Sequence, residues 1–253
     1  VPIPNTPVLI KFNAKPRVDF TDDPQNTGNP DRFVTAQIPV DGDFNKGEGN
    51  QFNVNAKGSQ LSLDVRAPEL PGSPRFYYQN DFFGSGSGTL NFRVRQLYGQ
   101  IFNVVLGQTF SVFEDPDAWP DTVDYEGPNS AIFARRPLVR YQWQVAKNWQ
   151  FNFGLEQPQS EVDTSYDPEA QQVQHGPDGG LNVRWENSDY GHVQLGAIFR
   201  DIGVKGPIVG NQNTFGWGVN LSSSLNVFER QVTSETVASA TDKDVVAGVQ
   251  QDV

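Results

Sequence analysis

The chain has 253 residues, 36% of them hydrophobic and 12% aromatic, with a formal net charge of −11 and neither cysteine nor methionine. Disulfides, zinc–thiolate sites and thiol nucleophiles are therefore excluded, and nucleic acid is a poor partner because counterion release needs clustered Lys and Arg. No apolar run is long enough for a transmembrane helix, so only a closed barrel with a polar interior and an aromatic rim would carry such a chain across a membrane.

Residues 8–20 alternate at the period of two that marks a β-strand, with Ile10, Phe12, Ala14, Val18 and Phe20 on one face and Lys11, Asn13, Lys15, Arg17 and Asp19 on the other. Residues 21–50, rich in Gly, Pro, Asn and Asp, read as one long loop. A brief alternation at Val34, Ala36, Ile38 and Val40 leaves room in it for a short hairpin. The strand over 52–66 slips phase near Lys57 and Gly58, as at a β-bulge, then shows Leu61, Leu63 and Val65 against Ser62, Asp64 and Arg66. After a turn at 67–73, Phe76, Tyr78 and Phe82 oppose Arg75, Tyr77, Gln79 and Asp81. The Gly–Ser run at 84–88 precedes another alternating strand, Leu90, Phe92 and Val94 against Asn91, Arg93 and Arg95, and not a helix. It is read as a loop and not a phosphate cradle.

A turn at 98–100 leads into a strand over 101–110, with Phe102, Val104 and Leu106 on one face. Residues 111–134 then carry Glu114, Asp115, Asp117, Asp121, Asp124 and Glu126, spaced by Pro116, Pro120, Gly127 and Pro128, which no regular element tolerates easily. Alternation resumes with Pro137, Val139, Tyr141 and Trp143 opposite Arg136, Leu138, Arg140 and Gln142. Beyond a turn at 146–148, Trp149, Phe151, Phe153 and Leu155 oppose Gln150, Asn152 and Glu156, and 158–179 is a long polar loop. Leu181, Val183 and Trp185 then oppose Asn182, Arg184 and Glu186. Past a short turn, Val193, Leu195, Ala197 and Phe199 oppose His192, Gln194 and Arg200. A loop over 201–213 precedes Phe215, Trp217, Val219 and Leu221, and 231–253 shows no strand pattern.

Long or glycine-rich connections thus alternate with short ones along about ten strands, the construction of an outer-membrane barrel. Phe20, Tyr141, Trp149, Trp185 and Trp217 stand near strand ends, where an interfacial girdle belongs. The fold expected is a transmembrane antiparallel β-barrel over 1–228 with an inward loop at about 111–134, and an unassigned tail over 229–253. The alternative is a soluble β-sandwich, carbohydrate-binding or carbohydrate-active, whose apolar faces pack on each other.

If the polar faces line a lumen, its basic candidates are Lys15, Arg17, Arg66, Arg93, Arg95, Arg136 and Arg140, with Lys11, Arg75, Arg184 and Arg200 on the same faces. Arginine forks suit carboxylates, and basic rings give anion selectivity. The plainer reading pairs some of them with Asp19, Asp64, Asp81, Glu156 or Glu186. The six loop acids either face that wall across the pore or are solvated. As catalysts they are unremarkable: no two are set apart as a carboxylate pair, and His175 and His192 make neither a triad nor a metal site. Weak calcium binding by converging loop oxygens is the most that is expected, and no cofactor is.

Gly107-Gln108-Thr109-Phe110, Phe113-Glu114-Asp115-Pro116, the run Asp121 to Pro128 and Arg136-Pro137-Leu138-Val139-Arg140-Tyr141 resemble the corresponding stretch of the DcaP-type outer-membrane porins. Asp81-Phe82-Phe83-Gly84, Arg93-Val94-Arg95 and Gly216-Trp217-Gly218-Val219-Asn220-Leu221 are similar to that family too, so the likeness covers about residues 8–228. It implies a sixteen-stranded homotrimeric porin of Gram-negative bacteria, set in outer-membrane lipid and lipopolysaccharide and passing small anions, dicarboxylates above all. The loop at 111–134 would be its pore-constricting loop. The family's N-terminal coiled-coil segment has no counterpart here, only about ten of the sixteen strands are visible, and Val253 stands where an aromatic is usual. A longer polypeptide is therefore expected.

Overall fold

The computed structural model describes residues 2–47, 49–85, 89–120, 122, 127, 132–159, 161–162, 166–227, 230–241 and 247–248. The chain divides into two compact units, Val1–Leu97 with Pro120–Ala131 and Tyr98–Trp119 with Ile132–Val253. Among the described residues, every regular element is a strand apart from two short 3-10 turns, Thr35–Gln37 and Pro116–Ala118.

In the first unit β1 (Leu9–Lys15) and β2 (Asp19–Gln25) follow one another, as do β3 (Gly49–Asn55) and β4 (Gln60–Arg66). β1 pairs antiparallel with β4, from Leu9 opposite Arg66 to Lys15 opposite Gln60, while β2 pairs with β3 as a separate two-stranded sheet. The hairpin expected around 34–40 is therefore built from the two ends of that segment, and Thr35–Gln37 is a 3-10 turn. Lys57 and Gly58 form a turn and not a bulge: Ser59 N–H donates to the Ala56 carbonyl, and the two strands either side of it belong to different sheets. β5 (Arg75–Asp81) pairs with β4, and β6 (Arg93–Ile101) with β5. Gln60, Gln79 and Gln96 form an amide ladder across these three strands, with N···O distances of 3.1 and 3.2 Å.

β6 runs into the second unit, where a two-residue turn, with Phe102 at φ 51°, folds the chain back into β7 (Val104–Phe110). The reversal expected at 98–100 thus falls at Phe102 and Asn103. β8 (Arg135–Ala146) and β9 (Trp149–Glu156) follow, then the two-residue β10 (Glu161–Val162) and the short β11 (Gln171–Val173). β12 (Asp178–Asn187), β13 (Gly191–Gly206), β14 (Gly210–Val227), β15 (Arg230–Thr241) and the two-residue β16 (Ala247–Gly248) complete the chain. The antiparallel order is β7-β8-β9-β12-β13-β14-β15, with β11 laid against β13 and β10 paired with β16.

Two expectations are corrected here. Residues 201–213 are strand on both sides of a three-residue turn, because β13 and β14 pair without a break from Gly191 opposite Leu225 to Gly206 opposite Gly210. The segment after Arg230, expected to lack strand, is drawn into β15 by main-chain pairing with β14. In the first stretch Ile202 and Val204 fall in the phase opposite to that of Val193, Leu195, Ala197 and Phe199, and the second has no apolar alternation, but inter-strand N–H···O=C bonds need no particular side chain.

The alternation of the remaining strands is inverted relative to a soluble core. Asn152, Glu156, Asn182, Gln194 and Asn220 are buried, whereas Leu106, Trp143, Phe153, Leu155 and Leu221 are exposed, Leu106 by 62% and Leu155 by 58%. Apolar side chains meet across strands on that exposed face: Tyr141 stacks on Phe153 at 5.2 Å and Trp143 lies 6.4 Å from Phe151. Water is the wrong solvent for such a face, and a bilayer is the right one. The sandwich alternative requires the same residues to be the buried ones. We therefore expect Phe153→Arg to destabilise the protein by about 2–4 kcal/mol in reversible unfolding from phospholipid vesicles if the residue sits near the bilayer midplane. A chain that remains soluble and monomeric without detergent would contradict this reading.

Candidate functional site

The acidic segment after β7 is bound along the buried face of β9, β12, β13 and β14. Its position is set by the register of the strands beneath it. Gly154 on β9 lies opposite Gly180 on β12, and on the next rung Asn182 lies opposite Gly196 on β13, which lies opposite Asn220 on β14. The three glycines leave a trough. A Cβ at Gly180 would lie 3.0 Å from the Val112 Cβ, one at Gly154 would lie 3.1 Å from the Val112 Cγ2, and one at Gly196 would lie 3.1 Å from the Phe113 carbonyl oxygen. Val112 fills the trough and is fully buried.

Hydrogen bonds hold the loop there. The carbonyls of three successive residues are met by amides from three strands: Asn182 Nδ2 donates to Val112 O at 2.6 Å, Asn220 Nδ2 to Phe113 O at 3.1 Å, and Gln194 Nε2 to Glu114 O at 3.0 Å. Val112 N–H donates to the Glu156 carboxylate. Asp115, wholly buried, takes Ser222 Oγ–H at 2.6 Å and Arg184 at 3.1 Å, and its Oδ2 lies 2.8 Å from His192 Nε2. Glu114 joins the two ends of the loop, since Ala134 N–H donates to its Oε2 at 2.9 Å. At that base the ring of Phe133 lies between Trp119, at 4.8 Å, and the Arg135 guanidinium, at 4.0 Å.

The loop acids thus have distinct fates. Glu114 and Asp115 are buried against the strands, Asp117 is exposed and paired with Arg184 at 2.8 Å, and Asp121, Asp124 and Glu126 lie outside the described residues.

The basic candidates gather around single carboxylates. In the second unit Arg136 and Arg200 both reach Asp178, at 2.8 and 2.9 Å, and both donate to the Gln159 carbonyl. Arg140, on the same face of β8, is half-buried and has no carboxylate within ion-pair distance among the described residues. In the first unit Arg66 and Arg75, directly opposite in the ladder, share Asp64 at 2.6 and 2.9 Å. Arg93 and Arg95 share the fully buried Asp81, both at 2.7 Å. Arg17 pairs with Asp19 at 2.7 Å, and Lys15 is exposed at the end of β1.

Several participants escape a reading of the sequence. Asp178 is concealed in a polar loop, although it is the first residue of β12. His192 looks like a turn residue with no partner. Asn182, Gln194 and Asn220 carry the signal of their strand phase, but nothing in the chain says that their targets are carbonyls of residues 112–114.

Burial pushes the Asp115 carboxyl up, but hydrogen bonds from His192 and Ser222, with the nearby charges of His192 and Arg184, outweigh it and hold the group below the usual carboxylate range. Its folded value is thus depressed relative to the unfolded one. The stabilisation is fully present above the ordinary carboxylate range and is lost as pH falls through the depressed value. Hydrogen exchange over 111–119 should accelerate in that acid window. Asp115→Asn should remove this pH dependence and speed exchange at neutral pH, and Gly196→Leu should displace the loop at every pH. Exchange unchanged in both variants would show that the loop is held elsewhere.

A family model described as DcaP outer membrane protein matches residues 1–242. No curated protein matches the chain. Among solved structures the chain is similar to the outer membrane channel DcaP of Acinetobacter baumannii, at 18% identity and a TM-score of 0.77, with 93% of this chain and 66% of that one covered. It is also similar to an anion-selective porin from Comamonas acidovorans, at 15% identity and a TM-score of 0.55, with 95% and 70% covered. The chain therefore spans 66% of the length of the Acinetobacter channel. The fold is that of an outer-membrane β-barrel, which accounts for the apolar exposed face, and the place of residence is the outer membrane of a Gram-negative bacterium. The chain belongs to the DcaP outer membrane protein family.

Proposed function

We propose that this protein is a channel for passive diffusion of small hydrophilic solutes across the outer membrane. It prefers anions, small carboxylates and dicarboxylates in particular, and works as a homotrimer set in outer-membrane lipid and lipopolysaccharide. Residues 1–228, extended by β15, supply the barrel wall, residues 111–134 constrict the passage, and the protein is not an enzyme. The single observation that carries the preference is the stoichiometry of the buried ion clusters. Asp64, Asp81 and Asp178 are each held by two arginines, so guanidinium groups gather two to a carboxylate on these faces. Arg140 adds a further cation with no hydrogen-bonded carboxylate among the described residues.

The formal charge of −11 favours cations only if the acids face the solute. Glu114 and Asp115 do not, because both are buried, Glu114 accepting Ala134 N–H and Asp115 held by Arg184 and Ser222. Acids outside the passage are screened beyond about 8–10 Å in physiological salt, whereas a confined, poorly screened passage lets a few arginines set the barrier. Guanidinium forks also match carboxylates in geometry. The anion-selective Comamonas porin is consistent with this reading.

Reversal potentials across a planar bilayer in a KCl gradient should report anion preference, and Arg140→Gln should weaken it while leaving the fold intact. A cation-selective wild type would sink the assignment. So would selectivity unmoved when Arg93, Arg95, Arg136 and Arg140 are all replaced by Gln. For the trimer, the unheated detergent-solubilised protein should migrate as three copies and collapse to one on boiling.

A further inference from the structure

At the end of the second unit where the turns are short, the strands enclose a polar cavity of about 560 Å3, within the ~300–1,000 Å3 usual for small-molecule sites. It lies between the β8–β9 turn, which carries Lys147 and Asn148, and the β12–β13 turn at 188–190, with Gln144 and Gln150 on its wall. We propose that this cavity is a binding subsite for an uncharged, hydroxyl-rich solute such as a sugar, a ligand class separate from the anions assigned to the passage.

Three features carry the assignment. The charges in the cavity balance: Lys147 and Arg184 stand against Glu186 and Asp189, and Arg184 is committed to Glu186 at 2.9 Å, to Asp115 and to Asp117. Neither an anion nor a cation gains from such a lining. Secondly, the remaining donors are free to turn to a solute. The side chains of Lys147, Asn148 and Gln150 make no hydrogen bond among the described residues. Each amide offers a donor and an acceptor side by side, which matches adjacent hydroxyls that both give and accept.

Thirdly, the frame is fixed by its own bonds. Gln144 Nε2 donates to the Ala146 carbonyl at 2.8 Å, which holds the first turn, and leaves its carbonyl oxygen as an acceptor. Asn187 Oδ1 accepts Asp189 N–H at 2.8 Å and Tyr190 N–H at 3.3 Å, which holds the second. A solute therefore meets a frame that is already placed, and the ordering on binding is confined to the side chains of Lys147, Asn148 and Gln150. In a barrel of this kind the short turns face the periplasm, so the subsite lies at the periplasmic mouth.

The test is saturation-transfer NMR on the full chain in an amine-oxide detergent, which carries no sugar, with sucrose as the probe and succinate as the comparator. Sucrose should receive saturation with an affinity unchanged between ~0.1 and ~1 M KCl, since no net charge is involved. The Asn148→Ala, Gln150→Ala double variant should lose at least about fivefold in affinity, and Arg140→Gln should leave sucrose binding as it is, whatever it does to anion selectivity. No transfer to sucrose, or equal transfer to the double variant, would overturn the proposal. Salt-sensitive succinate binding that Lys147→Ala abolishes, without sucrose binding, would overturn it as well and make the cavity an anion site.

Discussion

A loop laid inside a wall of strands has to find partners for its main-chain groups, because each buried carbonyl left unmet costs on the order of a hydrogen bond's desolvation. The segment 111–115 meets that demand with side chains and not with a ladder. Asn182, Gln194 and Asn220 reach its carbonyls, Glu156 accepts from its N–H, and Ser222, His192 and Arg184 close on Asp115. Much of the polar face of the second unit is organised by this requirement. The glycines at 154, 180 and 196 complete it by removing the Cβ atoms that would stand where Val112 and Phe113 lie.

The same low-dielectric setting governs the charges. A carboxylate buried without partners would be neutralised or would destabilise the fold, and four of the buried ones are gripped by more than one donor. Asp64, Asp81 and Asp178 each sit between two arginines, and Asp115 between Arg184 and His192. Gathering two arginines at one carboxylate solves its burial, and the same guanidinium groups are those by which we propose the wall favours its solutes. The structural and functional readings of these arginines, which look like alternatives along the chain, are therefore two aspects of one arrangement.

The turns divide in a similar way. At the short-turn end of the second unit the chain reverses within two or three residues, and amides such as Gln144 and Asn187 are spent on the reversal itself. Toward the other end the connections fold on the strands that carry them. Asp167 shows how: its Oδ2 accepts the N–H groups of Ile208 and Val209, which ties the segment after β10 to the β13–β14 turn. Gly206 beneath it has no room for a Cβ, which would lie 2.3 Å from that same oxygen.

What the sequence determined by itself was the strand phase and its inversion. A period of two survives in the chain because each side chain faces either lipid or polar interior, and Phe153 against Asn152, or Leu221 against Asn220, shows it without any structure. The motifs around 107–141 were equally legible, since they are local. At 201–206 the apolar phase changes face, with Ile202 and Val204 buried, so the strand character of that stretch was hidden, and Arg230–Thr241 is a strand through its pairing with β14. The tertiary structure alone decided which polar groups meet. Asp115 and Ser222 are far apart in the chain, as are Asn220 and the Phe113 carbonyl, and their contact depends on the register of four strands and on the depth of a glycine trough. Register is a property of pairs of strands, and no single strand records it.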